Sequence, residues 1–424
     1  MQTTVNSPHR NSLSGKALLL LVVTVFLNTM GMTIIGPVVP FLVRPYVHDQ
    51  AALAAVIGWL TSTYAICQFL AAPVLGALSD RYGRRPLLLL CLLGSAIGYV
   101  LFGLGGALWV LFLGRIIDGL TGGNFSILFA YIADRTEPEE RGVLYGRIGA
   151  ISGIGFLLGP AIGGFAARWG YATPAYLAAG LSLSAMFWGL FMLPESLAPD
   201  RRTTEVHIRT LNPFAQVRQL LALPALRWLL VAGFCYGLPF ASLQATFGVF
   251  IIHNLGWGPE RIGFISVAVG GMDILVQGLL VGRLLPRLGE VSLAILGFAG
   301  VLSGYLLISA VAVVPSLLIV LAGVALFAGS GGLVEPALGS LFARAAGTRA
   351  QGAVQGGAQS VQSLAMIIGP LWGGWLYARF GSATPYWSSS IWIGLAILAV
   401  YLALPAIRAN HSVETETAIS MSNA

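Results

Sequence analysis

Residues 76–86 read GALSDRYGRRP and separate two long apolar runs, 53–78 and 87–106. A run of about 20 apolar residues is long enough to cross a bilayer as an α-helix. The segment is therefore predicted to be a short charged loop between two transmembrane helices. Gly76 and Gly83 allow close approach and a tight turn, and Asp80 can accept hydrogen bonds from backbone donors at a helix start.

Similar runs fill the rest of the chain. Hydrophobic residues make up 57% of the sequence and charged residues 9%, against roughly 25% charged residues in an ordinary soluble domain. The twelve predicted spans are 17–43, 53–78, 87–106, 108–133, 146–168, 173–193, 227–252, 260–282, 291–313, 315–341, 355–378 and 385–405. We predict an all-α membrane protein with twelve transmembrane helices. The first run is too long for a signal-peptide core and is predicted to stay in the membrane.

The basic residues predict the orientation. Of the 23 Lys and Arg residues, 18 lie on the side of both termini, 4 on the opposite side, and Arg115 within a span. Cytoplasmic loops carry the excess of basic residues, so both termini are predicted to be cytoplasmic. The net charge of +7 is thereby explained by topology, and no nucleic-acid partner is expected.

The sequence offers little for cofactor chemistry. The three cysteines lie in apolar runs and the five histidines in loops or tails, without metal-ligand or redox spacing. A GxxxxGK[ST] phosphate-binding pattern is also missing from the sequence, so ATP is not expected to drive the protein directly. We expect no metal and no cofactor, with a proton gradient as the energy source.

An internal repeat divides the chain. Three segments recur after about 210 residues: GPAIGG (159–164) as GPLWGG (369–374), ARWGYATP (167–174) as ARFGSATP (378–385), and GALSDRYGR (76–84) as GRLLPRLGE (282–290). Six helices per copy give a parallel repeat, as in transporters whose halves enclose a cavity. We predict a first half at 1–193, a linker at 194–226 and a second half at 227–424.

The linker contains LNPFAQVRQLL (211–221), which places apolar residues on one helical face after an Asn cap and a Pro in the first turn. It is interpreted either as a short amphipathic helix on the cytoplasmic surface or as a solvated linker.

The segment GALSDRYGRRP resembles the signature loop of the major facilitator superfamily, which implies its twelve-helix fold. MGMTIIGPVVP (30–40), LGRIIDGLTGG (113–123), GIGFLLGPAIGG (153–164) and QGAVQGGAQ (351–359) are similar to the drug/proton antiporter branch, above all to tetracycline-resistance-type exporters. The resemblance implies a gating set of Gly76, Asp80, Arg81, Gly83, Arg84 and Asp134. The alternative is a basic loop that only sets topology.

The resemblance also marks an antiporter motif in the fifth span: Gly155, Gly159, Pro160, Gly163 and Gly164. The glycines form a small-residue face that allows tight helix contact, and the proline bends the helix. Close packing alone and a role in sealing a leak both stay open.

The chain departs from the tetracycline exporters at three positions. Where they carry acidic residues in helices 1, 3 and 9, this chain has Asn28, Gly98 and Val301. This difference argues against tetracycline itself as the substrate.

Four charged residues remain at membrane depth: Arg115, Asp118, Asp273 and Glu335. A charge at the bilayer centre costs about 2.5 to 3.5 kcal/mol or more, so each is expected to face protein or water. Arg115 and Asp118 are three residues apart on one helical face and can pair. The alternatives are a pair that merely locks its helix in place and, for Asp273, an interhelical hydrogen bond.

These observations predict a proton-coupled exporter of amphipathic small molecules, a monomer in the bacterial inner membrane, with the lipid bilayer, protons and a small-molecule substrate as its partners. The candidate substrate and proton residues are Asn28, Arg115, Asp118, Asn124, Tyr236, Gln244, Asp273 and Glu335. For proton coupling, Asp118 ranks before Glu335 and Asp273. An uptake carrier or facilitator on the same fold is the alternative, and a membrane-embedded enzyme or sensor is disfavoured.

Overall fold

A computed structural model describes residues 15–136, 138–203, 224–346 and 351–422. These residues form helices joined by short turns, without a strand among them. The helices of the first half are α1 (Gly15–Ile34), α2 (Val39–Val43), α3 (Gln50–Tyr82), α4 (Arg84–Leu104), α5 (Leu108–Thr121), α6 (Asn124–Arg135), α7 (Pro138–Ala166) and α8 (Thr173–Met192). Those of the second half are α9 (Pro224–Leu255), α10 (Pro259–Leu275), α11 (Gly282–Ala310), α12 (Leu317–Ala346), α13 (Gln351–Phe380) and α14 (Thr384–Ser422).

Ten helical stretches in the described part of the chain are long and apolar enough to cross a membrane. One of them, Pro259–Ala310, covers two predicted spans, which are separated by a kink with non-helical backbone at Gly289; a π-helical turn at Val276–Val281 comes before the kink. The helix α13 lies over a further predicted span but is rich in Gln, Ser and Gly, and so is not among the ten. The stretches are consistent with the twelve predicted helices.

The predicted span 108–133 is broken into α5 and α6 at Gly122 and Gly123. The amide of Gln68 on α3 donates a hydrogen bond of 3.0 Å to the carbonyl oxygen of Gly122. Irregular backbone at membrane depth needs such a partner, since lipid offers none. The glycine pair therefore interrupts a helix that the hydropathy alone predicts to be continuous.

Internal contacts group the chain into two compact units, Met1–Gly36 with Ile66–Leu211, and Pro37–Ala65 with Asn212–Ala424. The change after Leu211 falls within the predicted linker, whose residues 204–223 lie outside the described part, so the predicted linker helix is not described. The predicted domain boundaries stay a prediction.

Both units repeat one packing scheme. In the first unit, α1 packs on α7 and α8, while α4 packs on α5 and α8. In the second unit, α9 packs on α13 and α14, while α11 packs on α12 and α14. Helices separated by about 210 residues thus have equivalent partners, as the sequence repeat predicts.

Glycines make the tightest of these contacts. A Cβ added at Gly155 would lie 3.0 Å from the carbonyl oxygen of Phe26 on α1, and one at Gly163 would collide with the carbonyl oxygen of Ile34. In the second unit, a Cβ at Gly373 would collide with Ser242 on α9. The predicted small-residue face of the antiporter motif is therefore in tight helix contact, and Pro160 lies within α7.

Candidate functional site

The charged pair of the first unit lies on α5. The Nη1 atom of Arg115 is 3.8 Å from Oδ2 of Asp118, one helical turn away, and both side chains are largely buried. The Arg115 guanidinium also lies over the ring of Phe102 on α4, 4.7 Å from its centroid. The predicted pairing of Arg115 with Asp118 is confirmed. The distance between nitrogen and oxygen is long for an ion pair, and the cation–π contact with Phe102 helps to hold the guanidinium.

Asp118 packs against a glycine of α4. A Cβ added at Gly98 would lie 2.9 Å from the Cβ of Asp118 and 2.7 Å from the carbonyl oxygen of Gly114. The missing side chain at Gly98 lets α4 and α5 approach and leaves room for the aspartate. The carboxyl group of Asp118 is therefore held at a helix interface, only 3% of the residue being exposed.

Two buried amides join α1 and α6. The Nδ2 atom of Asn124 donates a hydrogen bond of 2.8 Å to Oδ1 of Asn28. They line a small pocket together with Thr24 and apolar residues of α1, α4 and α6. The Oδ1 atom of Asn124 is buried without a hydrogen-bond partner. Asn28 thus forms a neutral link between two helices.

The second unit contains a larger cavity of about 330 Å³, bounded by α9, α12 and α13. Its lining residues are Leu230, Gly233, Tyr236, Glu335, Leu338, Gly339, Phe342, Ala358, Gln359, Val361 and Gln362. Two predicted site residues, Tyr236 and Glu335, therefore meet in one space.

Asp273 lies next to this cavity, on α10. Its Oδ2 atom accepts a hydrogen bond of 3.0 Å from Gln277, one turn along the same helix. A Cβ added at Gly332 would lie 3.0 Å from Oδ1 of Asp273, so the carboxyl group touches α12 close to Glu335. Gln244 on α9 is exposed and does not line the cavity. Within the second unit, Tyr236 and Glu335 therefore line one cavity, and Gln244 lies outside it.

The predicted loop between the second and third spans is the turn between α3 and α4. Gly83 has a φ of +105°, which favours glycine, whereas a Cβ at Gly76 would meet open space. Close approach therefore does not explain Gly76. The side chain of Arg81 is exposed and lies over the ring of Tyr82.

Arg84 is the centre of an ionic network at this turn. Its Nη1 atom lies 2.5 Å from Oδ1 of Asp80 and donates to the hydroxyl of Ser79 at 2.7 Å. Its Nε atom donates to Oδ2 of Asp134, at the end of α6, at 3.2 Å. Four of the six predicted gating residues (Asp80, Gly83, Arg84 and Asp134) therefore lie together.

Sequence reasoning missed Glu195, which completes the network. Its carboxylate accepts hydrogen bonds from the backbone amides of Arg84 (2.9 Å) and Arg85 (3.2 Å) at the start of α4. A helix start favours negative charge and has unpaired amide donors. A Cβ at Gly83 would lie 2.9 Å from the carboxyl carbon of Glu195, so the glycine is needed for this contact as well as for the turn.

Comparison with known proteins shows to which family this chain belongs. The model of the Major Facilitator Superfamily matches residues 21–370 and also 229–419. The chain belongs to the Major Facilitator Superfamily. It is 34% identical to the class C tetracycline resistance protein of Escherichia coli, over 93% of this chain and 97% of that one. It is 29% identical to multidrug resistance protein 2 of Bacillus subtilis, over 85% and 88% of the two chains.

Solved structures of two other transporters have the same fold. The human organic anion transporter MFSD10 (TETRAN) matches with a TM-score of 0.68 and 24% identity, over 94% of this chain and all of that one. A D-xylose-proton symporter matches with a TM-score of 0.69 and 20% identity, over 92% and 97%. The predicted family and fold are confirmed, and the chain is a multi-pass protein of the bacterial inner membrane.

Proposed function

We propose that this chain is a proton-coupled exporter of amphipathic small molecules that works by alternating access. The observation that carries this proposal is the similarity to tetracycline and multidrug resistance proteins along nearly the whole chain. The long Arg115–Asp118 pair supports it, because antiport needs a group whose charge changes during the cycle. Arginine keeps its proton at every relevant pH, so the aspartate is the member that changes.

In this proposal, Asp118 exchanges a proton when movement of α4 against α5 hydrates its carboxyl group. The charged form of a buried carboxyl group is disfavoured by lost hydration and favoured by a nearby cation. Because both residues lie on α5, the pair separates by rotation of its side chains. Loss of the contact with Arg115 favours proton uptake by Asp118, and return of the contact, or hydration of the carboxyl group, favours release. Glu335 and Asp273 are the next candidates. We propose that the protein acts as a monomer without a bound cofactor, driven by the proton gradient.

We also propose that the network around Arg84 is a cytoplasmic latch. Asp80 is about half exposed, so it can exchange its contact with Arg84 for other donors. The variant Asp80→Asn is expected to transport more slowly than wild type while folding and substrate binding are retained. Wild-type transport by this variant would leave the loop with a role in topology only.

The test of export uses purified protein in liposomes whose lumen is more acidic than the bath. An antiporter accumulates a fluorescent amphipathic compound inside as protons leave, and an ionophore that collapses the pH gradient abolishes accumulation. The reversed gradient is the control, since it drives accumulation by a proton symporter. Accumulation only under the reversed gradient, or independent of either gradient, would refute proton-driven export.

A further inference from the structure

A polar atom at the break between α5 and α6 has no partner among the described residues. The carbonyl oxygen of Gly122 accepts a hydrogen bond from a glutamine of α3, and that of Gly123 accepts one of 2.7 Å from the hydroxyl of Ser126. The Nδ2 atom of Asn124 donates to Asn28, but the Oδ1 atom of Asn124 is buried without a hydrogen bond. Buried polar groups in proteins are normally hydrogen-bonded. This oxygen is therefore open to a donor from outside the chain.

Asn124 forms part of the wall of the small pocket between α1, α4 and α6. The wall has a polar part that consists of Thr24, Asn28 and Asn124, and an apolar part that consists of Val25, Leu88, Leu92 and Leu128. None of these seven residues is more than 8% exposed. The pocket thus offers a hydroxyl group and two amides in surroundings that bulk solvent barely reaches.

The size of the pocket limits what it can hold. It has room for the centre of a water molecule over about 10 Å³, which is close to the smallest volume that holds one bound water. Organic molecules are far larger. A buried water makes about two to four hydrogen bonds to polar groups, and three residues of the wall carry such groups.

The chemistry of the wall favours a neutral ligand. Its polar groups are uncharged, and the transfer of an ion from water into such a site is costly without an opposite charge. Asp118, six residues before Asn124 in the sequence, pairs with Arg115 and does not line the pocket. A neutral molecule that donates and accepts hydrogen bonds is therefore favoured, and water is the one that fits.

The position of the pocket at a helix break is a second, independent reason. Backbone that departs from a helix at membrane depth is tolerated where it is buried in protein or lies next to water, and ordered waters can supply the hydrogen bonds that the break removes. The helix α6 begins at Asn124, and the first amides of a helix have no partner within it. The break in the predicted span 108–133 therefore lies where a bound water is most useful.

We propose that this pocket binds one water molecule, which donates a hydrogen bond to Oδ1 of Asn124 and joins α6 to α1. Thr24 and Asn28 supply the other hydrogen bonds of the water. Water-mediated hydrogen bonds are nearly as favourable in enthalpy as direct ones, so the two helices are joined without a close fit of their side chains. The inference goes beyond the proposed function, because it holds whatever the protein transports.

The test detects the water by X-ray radiolysis of the purified full-length protein. The radiation converts water into hydroxyl radicals, which oxidise the side chains beside it, and mass spectrometry locates the oxidised residues. We expect oxidation of Leu92 and Leu128, although neither is more than 3% exposed. Leu111 on α5 is the matched control, since it is buried outside the pocket, and it should stay unoxidised.

Two variants test whether the amide holds the water. Asn124→Leu replaces the amide by an apolar group of similar size and should lower the oxidation of Leu92 to the level of Leu111. Ser126→Ala removes a hydroxyl group from the first turn of α6 outside the pocket and should be oxidised like wild type. Thermal unfolding of each variant checks the fold.

Two results would overturn the inference. The first is oxidation of Leu92 and Leu128 in the wild-type protein that is no greater than that of Leu111, a comparison that needs no variant to fold. The second is unchanged oxidation of Leu92 in a folded Asn124→Leu protein. The assay contains no substrate and no pH gradient, so its result and the result of the export test in liposomes can fail separately.

Discussion

The two halves place an ion pair at equivalent positions but with opposite charges. In the first half Arg84 on α4 pairs with Asp134 on α6, and in the second Glu290 on α11 pairs with Arg344 on α12 at 2.7 Å. Each pair follows a glycine of positive φ, +105° at Gly83 and +74° at Gly289. The repeat thus preserves the backbone geometry and the presence of a pair while the charges are exchanged.

The two halves also differ in charge at an equivalent helix contact inside the membrane. Gly98 on α4 faces Asp118, whereas the equivalent Gly304 on α11 faces the backbone and side chain of Phe327. Both glycines allow close helix contact, but only the first half has a charge there. The repeated residues therefore account for packing, and the residues that break the repeat are the ones to test for function.

The largest expected effect concerns the shared packing. The variant Gly163→Val drives its side chain into the backbone carbonyl of Ile34, which cannot rotate away, and should lower the free energy of unfolding by about 3 kcal/mol. In the other half, the side chain of Gly373→Val meets the hydroxyl of Ser242, which can rotate away. The free energy of unfolding should therefore fall by only about 1 kcal/mol. Thermal unfolding in detergent measures both.

The matched control is Gly153→Val on α7, where a Cβ meets open space. Its stability should stay close to wild type. Equal destabilisation by all three variants would mean that the effect arises from valine in a helix and not from the repeated contact.

Asp118 and Phe327 each face the equivalent glycine of their half, and only Asp118 is charged. Variants of these two residues therefore separate the effect of charge from the effect of packing. Asp118→Asn should abolish pH-driven accumulation with little change in stability, because the amide fills the same space without exchanging a proton. Phe327→Leu should lower stability by about 1 kcal/mol and keep transport coupled to protons. Transport assays on both variants measure the coupling to protons, and unfolding curves measure their stability. Normal coupling in Asp118→Asn would limit the pair to a structural role.

Exchange of charges tests the two ion pairs. The double variant Glu290→Arg with Arg344→Glu should transport like wild type, because the pair is simply reversed. The corresponding Arg84→Asp with Asp134→Arg should fail, since it places an acid beside Asp80 and Glu195. Equal tolerance in both halves would show that the extra acids of the first half are dispensable.

The smallest effect is expected at Glu195. Glu195→Gln keeps one acceptor oxygen at the start of α4 and should cost about 1 kcal/mol of stability, with slower transport. Glu260→Gln, in the first turn of α10, is the control. Equal losses in both variants would mean that the network around Arg84 adds nothing beyond a helix start.

Local patterns made part of this structure predictable. Hydropathy and the repeat predict the helices and their equivalent partners, and Arg115 with Asp118 is a contact within one helical turn, where spacing alone decides. The small-residue face of α7 was predictable for the same reason. These features depend on neighbours along the chain.

Contacts between distant segments were not predictable in this way. Glu195 pairs with a helix start 111 residues earlier, and the only signal is an acid directly after the span 173–193, on the same predicted side as the basic loop. Similarly, Gln68 makes the break at Gly122 possible from another helix. The grouping of Tyr236 with Glu335, and the position of Gln244 outside their cavity, depend on helix rotation, which hydropathy determines poorly when helices are apolar all round.

The most direct test of proton-coupled export is a measurement of proton movement itself. A pH-sensitive dye trapped in liposomes with the reconstituted protein reports the lumen, which is made more acidic than the bath, and an exported compound is then added outside. We predict that the compound makes the lumen more alkaline through wild-type protein, and that at least one of Asp118→Asn, Glu335→Gln and Asp273→Asn loses this response. A compound that enters the liposomes through wild-type protein without any change in lumenal pH would contradict proton coupling.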